Sequence, residues 1–257
     1  MTNQPSIQIH SPTFPSADDS SIAQLQKGFG HRSPYDAALI HAAAHSMWEA
    51  GRDAKIILEV CCGYGDLLAG LAATFPEANV TGMDQYVGTV KIAAERIQGL
   101  PNACVKAADV MHLDEWGDNT VDLIVGQATL HHLTHNLHAA IDEFVRVLRP
   151  GGKCMFTFEP LSHNHLVNAV RSYRNAKGLL VDESNLYIDT LEQLAPRFSS
   201  MEVQCYNLTL SYLLKALPSS SVLLKLGEGL RIMDAIRFKL WPNSHKKAAN
   251  FNVIYTK

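Results

Sequence analysis

Five short apolar runs recur through the middle of the chain, each closing on polar or glycine residues before a helical spacing resumes. Lys55–Val60 (KIILEV) ends in a turn containing Gly63 and Gly65. Asp66 then stands as an N-cap or first-turn acid for a helix with apolar positions at Leu67, Leu68, Leu71 and Phe75. Asn79–Met83 ends in Asp84 and is followed by helical spacing from Val90 to Ile97, and a third run, Ala103–Ala107, leads to Asp109. Val121–Val125 precedes Gln127 and a histidine-rich segment. A helix is expected from about Asn136 to Leu148, stopped by Arg149-Pro150-Gly151-Gly152, and Lys153–Phe158 is the fifth run. Runs that are apolar at successive positions are strands covered on both faces, so this alternation predicts a parallel sheet with right-handed crossovers and helices on either side.

The flanks differ. Pro160 to about Arg197 is polar and helical in pattern, while Met201–Leu208 and Phe251–Thr256 predict two more strands that close the sheet, seven in all. Between them lies a leucine-rich stretch, Thr209–Lys247, broken at Pro218 and Pro242. Upstream, an alanine-rich helix is expected over Asp36–Glu49, and the polar opening Met1–Ser21 is expected to be an unstructured, draped arm.

Composition narrows the class. With 257 residues the chain can bury a full core as one domain, or one domain with a cap. Lys and Arg number 22 against 25 Asp and Glu, a net charge of −3, which lacks the positive field of a nucleic-acid binder. Five cysteines, without a CxxC pair, read as reduced thiols of a cytoplasmic protein. Neither a signal-peptide core nor a membrane-spanning run is present in the sequence.

Ligands of open α/β sheets bind beyond the carboxyl ends of the strands. Here those ends offer Glu59 to Gly65, then Asp84, Asp109 and Gln127. The glycine turn lets backbone amides approach a ligand at a helix N-terminus. A carboxylate at Asp84, about 20 residues on, suits a ribose diol, and Asp109 can accept from an exocyclic amine. Together they describe a nucleoside crevice. NAD fits it poorly, because Gly63-Tyr64-Gly65-Asp66-Leu67-Leu68 lacks the last small residue of the dinucleotide fingerprint, and pyrophosphate would sit beside Glu59 and Asp66. A sulfonium nucleoside with an ammonium group suits acids better.

With these residues in view, Ile56–Glu159 resembles the class I S-adenosylmethionine-dependent methyltransferases, in the branch that methylates small molecules. The likeness is carried by Leu58-Glu59-Val60-Cys61-Cys62-Gly63-Tyr64-Gly65, Gly82-Met83-Asp84, Ala108-Asp109, Val121-Asp122-Leu123-Ile124-Val125, Leu130-His131-His132-Leu133 and Leu148-Arg149-Pro150-Gly151-Gly152, in order over roughly 100 residues. The resemblance implies a Rossmann-like, doubly wound, mostly parallel seven-stranded α/β sheet with helices on both faces and a helical lid. Residues 1–50 would be arm and lid helix, 51–160 the cofactor-binding core, and 161–257 substrate-cap segments and closing strands of the same domain. It also implies that Glu59, Cys61, Gly63 and Gly65 hold the methionine part of S-adenosylmethionine. Asp84 would take the ribose hydroxyls, Asp109 the adenine amine, and Gln127 would lie near the amino-acid end, with Gln85 and Val110 also binding the cofactor. Tyr35, in the segment Gly28–Tyr35 with His31, would fold over the cofactor. The family usually has glycine where this chain has Cys61.

The expected activity is methyl transfer to a small, apolar or amphiphilic acceptor, run mainly by alignment. His132 and Glu159, with His131 beside them, are the candidate catalytic residues, His132 and Glu159 being expected on opposite walls of the acceptor pocket. Binding of the cofactor without methyl transfer and NAD-dependent oxidoreduction are the alternatives. His131, His135 and His138 could share a helix face as metal ligands. However, Thr134 or Asn136 reads as an N-cap that puts the first two in a loop, and no Cys or acid is interleaved, so no metal is expected. Thr209–Lys247, with seven Lys and Arg against Glu228 and Asp234, reads as core, lid, homodimer contact or membrane-facing surface.

Overall fold

The computed structural model describes residues 5–10, 20–29, 37–177, 186–206 and 221–257. In chain order the elements are β1 (Ser6–His10), α1 (Ser20–Gly28), α2 (Ala37–Gly51), β2 (Ile56–Val60), α3 (Asp66–Thr74), β3 (Asn79–Asp84), α4 (Val87–Arg96), β4 (Ala103–Ala107) and β5 (Val121–Gln127). A 3-10 turn (Leu130–His132) follows, then α5 (Leu137–Val147), β6 (Leu148–Pro160), α6 (His165–Ala176), α7 (Ile188–Leu194), β7 (Ser200–Tyr206), α8 (Ser221–Leu240) and β8 (Asn250–Thr256). The strands form one sheet in the order β1-β7-β8-β6-β5-β2-β3-β4. All pairings are parallel except those of β8, which runs antiparallel to β6 and β7. Strand order reverses beside β2, between β5 and β3, which is where an open α/β sheet leaves a crevice.

Alternation within the strands sorts the core into two layers. Leu58, Val60, Ile124, Cys154 and Phe156 pack on one face with α5, α7 and Phe238 of α8. Ile57, Leu123, Val125 and Met155 pack on the other with α1, α2 and α3. Helix α5 shows why: Leu137, Ala140, Ile141, Phe144 and Val147 recur at three- and four-residue steps and are all buried. Burial of a side chain such as Phe144 stabilises by about 1.5–3 kcal/mol. Helices α1 and α3 cross at glycines. A Cβ on Gly28 would lie 3.1 Å from the Leu67 Cα, and one on Gly70 would lie 3.1 Å from the Gly28 Cα, so neither position admits a side chain without separating the helices.

The sheet has an eighth strand where an unstructured arm was expected. Ser6–His10 pairs in parallel with Ser200–Gln204, and the His10 ring meets Glu202 at 2.9 Å. This edge strand is exposed or half-buried along its length, so it lacks the apolar density that marks the inner strands. The fifth run is also longer than expected. Arg149-Pro150-Gly151-Gly152 belongs to β6, and Gly151 and Gly152 are tied to Lys257 by backbone hydrogen bonds of 2.9 Å each. No described helix is long and apolar enough to cross a membrane.

Candidate active site

The crevice at the carboxyl ends of β2 to β5 holds a cavity of about 480 Å³. Its walls include Cys61 and Gly63 after β2, Asp84, Gln85 and Tyr86 after β3, Asp109, Val110 and Met111 after β4, and Ala128, His132, Leu133, His135 and Asn136 after β5. Six of the ten residues expected to bind cofactor line it: Cys61, Gly63, Asp84, Gln85, Asp109 and Val110. Glu59, Gly65 and Gln127 are not among its lining residues, and Tyr35 and His31 lie outside the described residues. Tyr86 and Met111 were missed, although each lies two residues beyond a strand-end acid and that spacing could have named them.

The β2–α3 turn is built on left-handed backbone. Gly63 has φ 51° and Gly65 φ 77°, and Cys61 takes the same region at φ 53°. An L side chain there costs on the order of 1–2 kcal/mol. Glycine takes this conformation without that cost, which accounts for the glycine that the resembled family usually has here. Burial, then the neighbouring acids beginning with Asp84, push the Cys61 thiol up to about 12, so it is a neutral group at the cavity wall. Ala128, across the cavity, is also left-handed at φ 56°.

Asp84 is buried, and its carboxylate is fixed from two sides. Oδ2 accepts from Gly63 N–H at 2.9 Å, and Oδ1 accepts from Tyr86 N–H at 3.0 Å and the Thr89 hydroxyl at 3.1 Å. A carboxylate offers about four acceptor sites, so one is left for a ligand and the side chain also organises the glycine turn. Asp109 is looser: Oδ1 accepts from Met111 N–H at 3.0 Å, which leaves Oδ2 to a ligand. Behind the turn Glu59 is 3% exposed, and its Oε2 is buried with no hydrogen-bond partner. Desolvation above all, then the charges of Asp66 and Asp84, hold its carboxyl well above the usual carboxylate range.

On the β5 side, the sequence expectation for Glu159 is corrected. It does not face His132 across a pocket. It is fully buried; Oε1 accepts from Thr129 N–H at 2.6 Å and Leu130 N–H at 2.8 Å, and Oε2 meets His131 Nδ1 at 2.8 Å and His131 N–H at 3.3 Å. The orphan amides that open the 3-10 turn would otherwise be unpaired. His131 is buried too and is not among the residues lining this cavity. Its ring lies against the exposed His132 ring, with centroids 4.1 Å apart. Of the three candidate catalytic side chains, His132 lines the cavity, His131 packs against it, and Glu159 holds His131. Gln127 Nε2 donates to the Phe29 carbonyl at 3.4 Å, tying the end of β5 to the segment after α1. Among the described residues, no group of three or more His, Cys, Asp or Glu is arranged to hold a metal ion.

Residues 57–152 match a family profile described as a methyltransferase domain. Over 149 residues the chain is 30% identical to a phthiotriol/phenolphthiotriol dimycocerosates methyltransferase of Mycobacterium tuberculosis, covering 58% of this chain and 49% of that one. It is 31% identical over 125 residues to a fatty-acid O-methyltransferase of Mycolicibacterium smegmatis, covering 48% and 43%. The chain thus spans about half the length of the relatives it matches. Among solved structures, a SAM-dependent methyltransferase from Archaeoglobus fulgidus aligns at TM-score 0.60 with 14% identity over 93% of this chain and all of that one. A Haemonchus contortus phosphoethanolamine N-methyltransferase with S-adenosyl-L-methionine aligns at TM-score 0.60 with 16% identity, over 93% and 57%. At such identity the structures speak for the fold. That fold is the Rossmann-like one of the class I methyltransferases, with an eighth strand added at one edge. The stretch that matches the methyltransferase-domain profile, residues 57–152, runs from β2 into β6 of that fold.

Proposed function

We propose that the protein transfers a methyl group from S-adenosylmethionine to a small amphiphilic acceptor. The observation that carries this reading is the pair of carboxylates at the cavity wall, Asp84 and Asp109, backed by the orphaned Oε2 of Glu59. A buried carboxylate without a partner is costly, and a cationic ligand group relieves that cost. The donor set fits a nucleoside carrying an ammonium group and a sulfonium centre. It repels the pyrophosphate of NAD.

In this reading Glu59 and the Gly63 turn hold the methionine part, Asp84 a ribose hydroxyl and Asp109 the adenine amine, with Gln85 and Val110 flanking. Bound S-adenosylmethionine supplies an activated methyl. The chain aligns the acceptor and excludes water, and His132 takes a proton from an acceptor hydroxyl. Val110, Met111, Ala128 and Leu133 give the cavity an apolar side, and His132, His135 and Asn136 a polar one, which suits an acceptor with a polar head on an apolar body. The names of the two mycobacterial relatives point the same way.

Calorimetry with S-adenosylhomocysteine and with NAD tests the cofactor, and binding of NAD alone would overturn the reading. A labelled-methyl assay across fatty acids, phenols, amines and quinones tests the acceptor. Transfer to none of them, with S-adenosylhomocysteine bound, would leave a binding protein rather than a transferase of such acceptors.

A further inference from the structure

Helix α8 presents an apolar stripe away from the protein. Val222, Leu226, Met233, Ile236 and Leu240 are each half exposed or more, while Asp234 and Phe238 on the opposite side are buried. The exposed positions step by four and three residues, with Gly229 filling the remaining place, so they form one line along the helix. At 1.5 Å per residue the line runs about 27 Å. Ile232 and Trp241 are 59% and 62% exposed and broaden it at one flank and at the end. An exposed apolar strip of this kind marks an interaction surface.

The flanks identify the partner's chemistry. Lys225, Arg237 and Lys239 are exposed beside the stripe, and none makes an ion pair among the described residues. The two acids of the helix are Glu228 and the buried Asp234. Pairing with a second copy would bring cations against cations, the arrangement that coiled-coil flanking positions avoid. A stripe wider than two rows, a tryptophan at its end and long basic side chains along its edges match a helix lying in a lipid interface. We propose that this face of α8 docks on an anionic lipid surface, with the apolar residues below the headgroups and the three cations among them. This goes beyond methyl transfer and is tested without it.

The test is flotation of the full chain with vesicles of mixed phosphatidylglycerol and phosphatidylcholine, against phosphatidylcholine alone. Flotation is expected with the anionic vesicles, falling as salt rises from roughly 0.1 M to 1 M and the screening length shrinks from about 10 to 3 Å. The variant Leu226→Ser/Met233→Ser/Ile236→Ser should bind at least roughly 10-fold more weakly. Lys225→Glu/Arg237→Glu/Lys239→Glu should lose on the order of 100-fold. Both keep the buried side of α8, and an unchanged melting curve confirms that they fold. In the unaltered protein, brominated lipid should quench a fluorescence component absent from Trp241→Phe, which tests the docking without a folding risk. Absence of flotation with anionic vesicles, or equal flotation of the apolar variant, overturns the proposal. So does a concentration-dependent dimer that the apolar variant abolishes, which would assign the face to a second copy.

Discussion

The turns that follow β2 and β5 each hide a glutamate, and the two are treated in opposite ways. Glu159, at the end of β6, meets three backbone N–H groups and the His131 ring, so every strong acceptor direction is occupied. Glu59, at the end of β2, has a buried oxygen with no partner and two further acids nearby. Residue type and burial are the same. One carboxylate is an internal anchor that shapes a loop, and the other is kept in an unfavourable state that a ligand can relieve. Burial alone does not tell a structural acid from a binding one; the count of donors around it does.

The sharpest way to break the comparison is to truncate the anchor. Glu159→Ala should lower stability by about 3–5 kcal/mol, because it strands a buried imidazole and three amides; denaturant unfolding measures it. His132→Ala comes next, with turnover falling roughly 100-fold while affinity for S-adenosylhomocysteine stays within a few-fold. A small rate effect would show that transfer runs on alignment alone, and the Glu159–His131 pair would then be scaffold only. Glu59→Gln should cost roughly 10-fold in S-adenosylhomocysteine affinity by calorimetry, with neutral-pH stability unchanged or raised. Its sign with pH is distinctive. Between the ordinary value of 4.5 and Glu59's raised value the folded chain keeps a proton that the unfolded chain has released, so stability falls as pH rises through that window. Melting curves of Glu59→Gln should lack that fall.

The smallest effect concerns an acid outside both turns. Glu143 of α5 accepts from Leu113 N–H at 3.0 Å, and the Arg146 guanidinium holds its carboxyl below the usual range. The stability it contributes is present at neutral pH and is lost as pH falls below the ordinary value of 4.5 through its lowered one. Glu143→Gln should melt slightly lower than the parent at pH 7 and equal it in strong acid.

The inner strands were legible because burial on both faces leaves no freedom in residue type: Ile56–Val60 and Val121–Val125 are apolar at nearly every position. So were the strand-end acids, since topology brings all carboxyl ends to one edge. β1 was not legible as a strand, although Ser6-Ile7-Gln8-Ile9-His10 alternates. Five half-exposed residues among polar neighbours carry too little apolar signal, and their partner lies in a distant part of the chain. The role of Glu159 was hidden for another reason. A glutamate at a strand end can point along the crevice or back into the protein, and only the positions of the amides at Thr129 to His131 decide between them.

The pairing of β1 with β7 has a consequence for the order in which the molecule is made. His10 and Glu202 are 192 residues apart, so the pairing of Ser6–His10 with β7 can form only after β7 has been made. Contacts of such separation are entropically late. The central strands can assemble first while Ser6–His10 waits, a nascent edge that closes only once β7 has joined the sheet through β8. Until then that segment is an unpaired strand, the kind of exposed backbone that leaves partly folded chains prone to aggregate.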